Sequence, residues 1–383
     1  MKKLYSLESL IALRREIHRH AETAFNEFET QKKIQEYLGS LSISESSIKK
    51  CASTGLVVDI SGKGPASGNK RIIAFRAEMD ALPVCEKESK LEYKSETDNS
   101  HLCGHDGHLA CLLGGVSLFL EEIESVPSDR TLRLLFQPAE EFIGGAKRMV
   151  NEGALEGASE VWGMHNMPID PPHKIFAKPG NMTSGSHALK VIVDGEGGHS
   201  SLKGILKDPI LPLCKINLEA NRVLNEEFKE VNNKDLIFSL LKFTTSGAYN
   251  VIPNSASANG SIRFYDSKLK EEFLNRLEKI VEEVCAKHGT KGRIESIHTY
   301  PIIVNNEKLF EELSRLTELS QDHCPIKASE DFSEFAKVVP GCFFIYSTGL
   351  ASGEIHKKGY DFNDEAIEPA SKLWAKIMLD RLK

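Results

Sequence analysis

The chain has 383 residues, 40% hydrophobic and 27% charged, with a formal net charge of -7. That length accommodates two domains more readily than one, and the charge balance excludes a basic nucleic-acid surface, a polybasic membrane patch and a long disordered tail. Eight cysteines are scattered without the C-x-x-C pairs of a zinc ribbon or the density of a disulfide scaffold, so most are expected to be reduced packing residues.

The N-terminal stretch starts with Lys2 and Lys3, but Glu8, Arg14, Arg15 and Glu16 interrupt it before a signal-peptide core forms. No other window is long and uncharged enough for a spanning helix, so the expectation is a cytoplasmic protein with no membrane partner. Residues 7–39 read as an amphipathic helix pair, with Leu10, Leu13, Ile17, Ile34 and Leu38 at helical spacing. TGLVVDI and RIIAFRAEMDAL are β-rich runs separated by the turn-forming SGKGPASGNK. HDGHLACLLGGVSLFLEEI has the length and period of a buried helix, and TLRLLFQPA is a strand stopped by Pro138. A helix over 144–152, a strand EVWGMHN and the Pro-rich MPIDPPH complete the segment.

This alternation predicts an α/β fold: a mainly parallel sheet covered by helices on both faces. Ligands of such sheets bind beyond the carboxyl ends of the strands, where the polar clusters of this sequence fall. From about residue 185 the order becomes β-α-β-β-α-β, the ferredoxin-like split unit. An inserted domain over 185–300 is therefore expected inside a discontinuous domain of residues 1–184 and 301–383. The latter closes with the strand GCFFIYSTG and the helix EPASKLWAKIMLDRL.

Cys103 and His105 in HLCGHDGHLA are two residues apart, so in extended or turn backbone both side chains reach one site. Thiolate and imidazole suit zinc and other borderline metals; N-capping by Asp106 and a buried thiol are the alternatives. Glu140 and Glu141 follow a buried-type strand and precede a Gly-Gly turn. Adjacent carboxylates diverge, so one can bind metal while the other holds an attacking water; the alternative is a solvated pair. His165 of WGMHN ends a strand, where a lone histidine is commonly a hydrogen-bonded core residue, and His356 precedes the last helix. Together Cys103, His105, Glu141, His165 and His356 come from four distant loops on one edge of one sheet, which fits a two-metal site.

The sequence also resembles the N-acyl-amino-acid amidohydrolases of the hippurate hydrolase and auxin-conjugate hydrolase type, within the aminoacylase and carboxypeptidase G metallopeptidases. The resemblance runs in order through RREIHRHAETAFNEFET, AFRAEMDALPV, CGHDGH, LFQPAEE, GMHN, GGHSS, NVIPNSASANGSIR, SEDFSEF and HKKGYDFNDEAI. It implies two divalent ions, with zinc, manganese, nickel and cobalt all compatible, held by Cys103, His105, Glu141, His165 and His356. Glu140 matches the family's general base, and Asp80 a carboxylate that lies behind the ligands and orients a metal-facing group. The inserted domain matches a lid that also forms a homodimer. His199 of GGHSS matches a residue that reaches the active site, in related enzymes from the partner subunit, and stabilises the oxyanion, and Asn250 and Arg263 fall where substrate carboxylate or carbonyl groups bind. A turn residue and a paired strand arginine are the structural alternatives for the last two.

The sequence departs from the family's pattern at several points. Glu78 replaces a usual Asp, Ala21 a usual Pro, Lys203 and Gly204 a Pro-His step, and Lys357 and Lys358 a step of His or Ser followed by Pro. The extra lysines point toward an acidic substrate group. The leading expectation is hydrolysis of a small N-acyl amino acid to a carboxylate and a free amino acid. The competing expectations are a dipeptidase or carboxypeptidase on the same metals, a thiol enzyme using Cys103 with His105 or His108, and a catalytically silent binding protein.

Overall fold

The computed structural model describes residues 4–142 and 144–383; Lys2, Lys3 and Ile143 of the QPAEEFIGG run lie outside them. The chain divides into two compact units. The first comprises Met1–Met182, Ile303–Pro325 and Asp331–Lys383, and the second Thr183–Ile302 and Ile326–Glu330.

The first unit opens with helices α1 (Leu7–Arg19) and α2 (Phe28–Ser40). Ser6 caps α1 by accepting the Ser9 N–H, and Leu10, Ile17, Ile34 and Leu38 bury one stripe of the pair. Strands β1 (Ile48–Cys51), β2 (Gly55–Ser61) and β3 (Arg71–Glu78) precede the helix α3 (His105–Glu121) and strand β4 (Arg130–Gln137). Helix α4 (Gly145–Asn151), strand β5 (Ala158–Met167) and two short strands, β6 (Ile175–Phe176) and β7 (Gly180–Asn181), follow. The second unit runs β8 (Gly185–Asp194), β9 (Gly198–His199), α5 (Ile210–Glu226), β10 (Leu236–Thr245), β11 (Val251–Ile252), β12 (Ser255–Phe264), α6 (Ser267–Lys287) and β13 (Lys291–Tyr300). The chain then returns through β14 (Val304–Asn305), α7 (Glu307–Leu316), α8 (Phe332–Ala336), β15 (Gly341–Ser347) and α9 (Ile367–Leu382).

The seven-stranded sheet of the first unit has the order β1-β2-β4-β3-β5-β15-β6. Its centre, β4-β3-β5-β15, is parallel. Its margins differ from a wholly parallel sheet: β1 and β2 form an antiparallel hairpin, β2 joins β4 antiparallel, and β6 joins β15 antiparallel. The short turn from Cys51 to Gly55 leaves no room for the crossover that a parallel pair requires.

The two faces of β3 and β5 divide by alternation. Phe75 and Trp162 belong to a large apolar cluster with residues of α3 and α9, and the Phe75 and Trp374 rings meet edge to face at 5.6 Å. Gly115 of α3 permits this packing, since a Cβ there would lie 2.5 Å from the Trp374 Cβ. On the opposite face, a Cβ at Gly163 would strike the Phe332 ring of α8. Helices thus cover both faces. No helix among the described residues is long and apolar enough to cross a membrane.

The second unit is built on an antiparallel sheet of order β10-β12-β8-β13. Leu189, Val191 and Val193 of β8 point to one face and form a single apolar cluster with Ile216 and Ala220 of α5 and Phe273 and Leu277 of α6.

A buried ionic cluster ties α1 to α3. His18 sits between the Asp106 carboxylate on Nδ1 and the Glu86 carboxylate on Nε2, each at 2.9 Å, and Arg14 Nη1 donates to Asp106 at 3.2 Å. Burial disfavours the His18 cation, but the two carboxylates prevail and raise its pKa to about 9. A folded pKa above the ordinary 6.5 stabilises the fold fully below pH 6.5, and that contribution is lost as pH rises through about 9. The size is on the order of 3 kcal/mol. Urea denaturation at pH 6.5 and 9 should therefore show a loss of stability in the wild type that His18→Gln largely lacks. Equal losses in both proteins would refute the assignment.

Candidate metal centre

The carboxyl ends of the parallel strands deliver most of the polar side chains. After Glu78, β3 ends and the chain carries Asp80 past the sheet edge, so the run that reads as strand to Leu82 stops four residues earlier. β4 ends at Gln137, and Pro138 and Ala139 lead to Glu140 and Glu141. Ala139 adopts φ +56, a left-handed conformation that costs a residue with a Cβ roughly 1–2 kcal/mol. His165 lies on β5. Cys103 precedes α3, separated from His105 by Gly104 at φ +93. A Cβ at Gly104 would come within 2.3 Å of Asn166 Oδ1 and 2.5 Å of the Tyr360 hydroxyl, so only glycine fits. The His356 N–H donates to the Leu102 carbonyl at 2.7 Å, which fixes its loop beside Cys103.

Six of these side chains come together in the first unit. Cys103, His105 and His165 offer ligand atoms within 4.8 Å of one another, as do Cys103, Glu141 and His356, and as do His105, Glu140 and Glu141. Cys103 Sγ is 3.3 Å from both His165 Nε2 and His356 Nε2, and His356 Nε2 is 3.2 Å from Glu141 Oε1. Cys103 and Glu140 are buried, His165 and Glu141 half-buried, and His356 half exposed at the rim.

The donors fit divalent cations. His105 Nδ1 contacts the Asp80 carbonyl at 2.9 Å and His165 Nδ1 the Asn166 carbonyl at 2.6 Å. A carbonyl only accepts, so each Nδ1 carries a proton, and it is the neutral ring that presents a lone pair at Nε2. His105 Nε2 is buried without a hydrogen-bond partner, an arrangement expected of a ligand atom aimed at a cation. Asp80 Oδ2 accepts the Glu141 N–H at 3.0 Å, linking the His105 and Glu141 segments.

The electrostatics agree. Burial and the charges of His108 and His105 push the His165 pKa down to about 3, leaving it neutral as a ligand must be. Burial disfavours the His105 cation, yet its hydrogen bond to Asp80 and the charges of Glu78, Asp80 and Glu141 raise its pKa to about 10, a measure of unbalanced negative charge. Burial, then Glu141 and Glu140, hold the Cys103 thiol protonated well above its usual range. A thiol so placed needs a cation to become a thiolate ligand, and it is the reverse of an activated nucleophile.

Beneath the cluster, Arg76 is fully buried and donates to Glu78, to Gln137 Oε1 at 2.7 Å and to Asp331 Oδ1 at 3.0 Å. Burial raises the Glu78 pKa, but Arg76 and His108 outweigh it and hold the carboxyl well below its usual range. Glu78 Oε2 meets His108 Nδ1 at 2.8 Å, while His108 Nε2 meets Asn166 Oδ1 at 2.7 Å and Asn166 Nδ2 donates to the Tyr360 hydroxyl at 2.7 Å. The longer side chain at position 78 is therefore spent on Arg76 and His108.

The sequence motifs contained Asn166 and Tyr360, but nothing linear joins them. Glu27, which accepts the Ala139 N–H at 3.0 Å, was likewise inside a motif without an assigned role. The remaining sequence candidates lie in the second unit. His199 is exposed on β9 with Nδ1 2.8 Å from the Ser201 hydroxyl, and the Asn250 carbonyl accepts the neighbouring Ser200 N–H at 2.9 Å. Arg263, on β12, donates to the Lys327 carbonyl at 3.3 Å. The added lysines are exposed and face acids: Lys203 with Asp208, Lys357 with Glu354 and Lys358 with Glu88.

Residues 74–380 match the peptidase family M20/M25/M40. The hippurate hydrolase of Campylobacter jejuni is 30% identical over 97% of this chain and 96% of its own length. Thermostable carboxypeptidase 1 of Saccharolobus solfataricus is 32% identical over 88% of this chain and 86% of its own. A solved structure from Bacillus subtilis, described as a dinuclear metal-binding peptidase from the M20 family, matches with a TM-score of 0.82 at 26% identity, covering 98% of each chain. On the extent of this match and the clustered metal-type donors, the chain belongs to the peptidase family M20/M25/M40 and is a hydrolase of amide bonds.

Proposed function

We propose that the protein hydrolyses N-acyl amino acids to a carboxylate and a free amino acid at a centre of two divalent cations, with Glu140 as general base. The observation that carries this reading is the pair of donor groups sharing Cys103, with Glu140 adjoining them. Cations held by Cys103, His105, Glu141, His165 and His356 would supply Lewis acidity toward the amide carbonyl and an acidified water, and the mixed donor set suits zinc, manganese, nickel or cobalt. Glu140 takes the proton of the attacking water and returns it to the leaving amine. Asp80 orients His105 and Glu141. His199, supplied by the second subunit of a homodimer, donates to the developing oxyanion, and Asn250 and Arg263 bind the carboxylate or carbonyl of the substrate.

The second unit acts as a lid of ferredoxin-like type and as the homodimer contact. Its β-α-β-β-α-β order supports the first role, and exposed Leu241 and Phe243 on the edge strand β10 support the second. The eight free thiols support a cytoplasmic setting. A dipeptidase or carboxypeptidase reading of the same centre is favoured by the relative described as a carboxypeptidase.

The test joins elemental analysis with a substrate panel. About two metals per chain, and cleavage of hippurate or N-acetyl amino acids that chelation abolishes and added metal restores, are expected. Faster cleavage of dipeptides would shift the weight to the peptidase reading. Metal-independent cleavage would sink the two-cation reading, and a solution mass of one chain would sink the dimer.

A further inference from the structure

Glu27 stands at the N-cap position of α2, yet its side chain does not cap that helix. It is fully buried and turned toward the strand end that carries Glu140. One carboxylate oxygen, Oε1, accepts two backbone N–H groups: Ala139 at 3.0 Å and Phe25 at 3.1 Å. Both donors are left-handed residues, with φ +56 at Ala139 and +60 at Phe25. The other oxygen accepts the hydroxyl of buried Thr54, whose own carbonyl is held by Gln31 Nε2 at 2.6 Å. The far side of Ala139 is fixed too: its carbonyl accepts the Gly144 and Gly145 N–H groups at 3.1 and 3.0 Å.

We propose that Glu27 is a positioning residue for Glu140, which it holds in place by gripping the left-handed backbone of Ala139 from 112 residues away. This rests on Glu140 being the general base. A buried carboxylate with two backbone donors and a hydroxyl is a rigid clamp. Without it, Ala139 relaxes toward the negative φ that a residue with a Cβ prefers, and the next side chain swings with it. The thermodynamic cost of keeping a carboxylate buried is visible in the Glu27 pKa, raised to about 7 by burial even though Thr54 and backbone hydrogen bonds oppose the rise.

Three variants separate position from charge. Glu27→Ala removes the acceptor, Glu27→Asp keeps the charge but withdraws the oxygen by one methylene, and Glu27→Gln keeps an oxygen acceptor without the charge. Each is measured for metal content, kcat and KM on the best substrate of the panel, and amide exchange of the peptide containing Ala139. The expected result is a kcat loss of about thirtyfold or more in the Ala and Asp variants, with KM within threefold and metal content unchanged. Their Ala139 amide should exchange at least about tenfold faster. The Gln variant should recover kcat to within about fivefold of wild type.

A kcat within threefold of wild type in the Asp variant, or loss in the Gln variant as deep as in the others, would overturn the proposal. If the Ala variant does not fold, the Asp and Gln pair carries the test. If the wild type cleaves nothing on the panel, the functional reading fails, and the exchange data still decide whether Glu27 holds Ala139: unchanged protection in the Asp variant overturns it.

Discussion

Glu140→Gln is expected to lower kcat for amide hydrolysis by about 10²–10⁴-fold, the range supplied by a positioned general acid–base group. KM and metal content should stay close to wild type, because the substitution keeps the shape of the side chain and removes only the proton acceptor. Glu140 has the surroundings this role needs: it is buried, its atoms group with His105 and Glu141, and it follows directly from the constrained Ala139 turn. Glu141→Gln should behave differently, losing metal along with activity. Elemental analysis of the two purified variants, beside steady-state kinetics, distinguishes base from ligand; a fully active Glu140→Gln protein would remove Glu140 from the reaction.

The second large effect concerns stability. Arg76 is fully buried and bonds two fully buried carboxylates, Glu78 and Asp331, while Asp331 also accepts from Gln137 Nε2 at 2.8 Å and from the Ala146 N–H at 3.0 Å. Arg76→Met should destabilise the first unit by about 3–5 kcal/mol, because it leaves buried negative charge without its counter-ion. The triple change Arg76→Met, Glu78→Gln, Asp331→Asn should be milder, since it withdraws the charges with their partner. Urea midpoints of the two variants check this ordering. If the single change is as stable as the wild type, the network is not the electrostatic keystone that the burial implies.

Much of the donor cluster was legible because its candidate ligands sit in short contiguous motifs, those of Glu141 and His165 at strand ends. A C-x-H pair, a Glu-Glu pair and two isolated histidines are weak signals singly, but a parallel sheet gathers strand ends at one edge and so makes their sequence separation irrelevant. The supporting interactions were less legible for a physical reason. Glu27 binds a backbone N–H, which leaves no complementary side chain at position 139, and Arg76 and Asp331 are 255 residues apart. Among the elements, α7 did carry a readable start in Asn306, whose side chain accepts the Lys308 and Leu309 N–H groups, with Leu309 and Leu313 four apart and buried. By contrast α8, with five residues, is too short for its period to register. The antiparallel margins were hidden because β2, buried nearly throughout, reads like an interior parallel strand whichever way it runs.

The short β7–β14 ladder has a consequence for how the chain is assembled. Gly180 and Asn181 pair with Asn305 and Val304, and the Met182 N–H donates to the Ile303 carbonyl at 2.8 Å. The departure and return of the long insertion are thus stitched together inside the first unit. Because the entropy of closing a loop grows only logarithmically with its length, growth of such an insertion costs its host little once the neck is formed. The insertion can therefore lengthen or shorten in its connecting loops while the sheet of the first unit keeps its geometry.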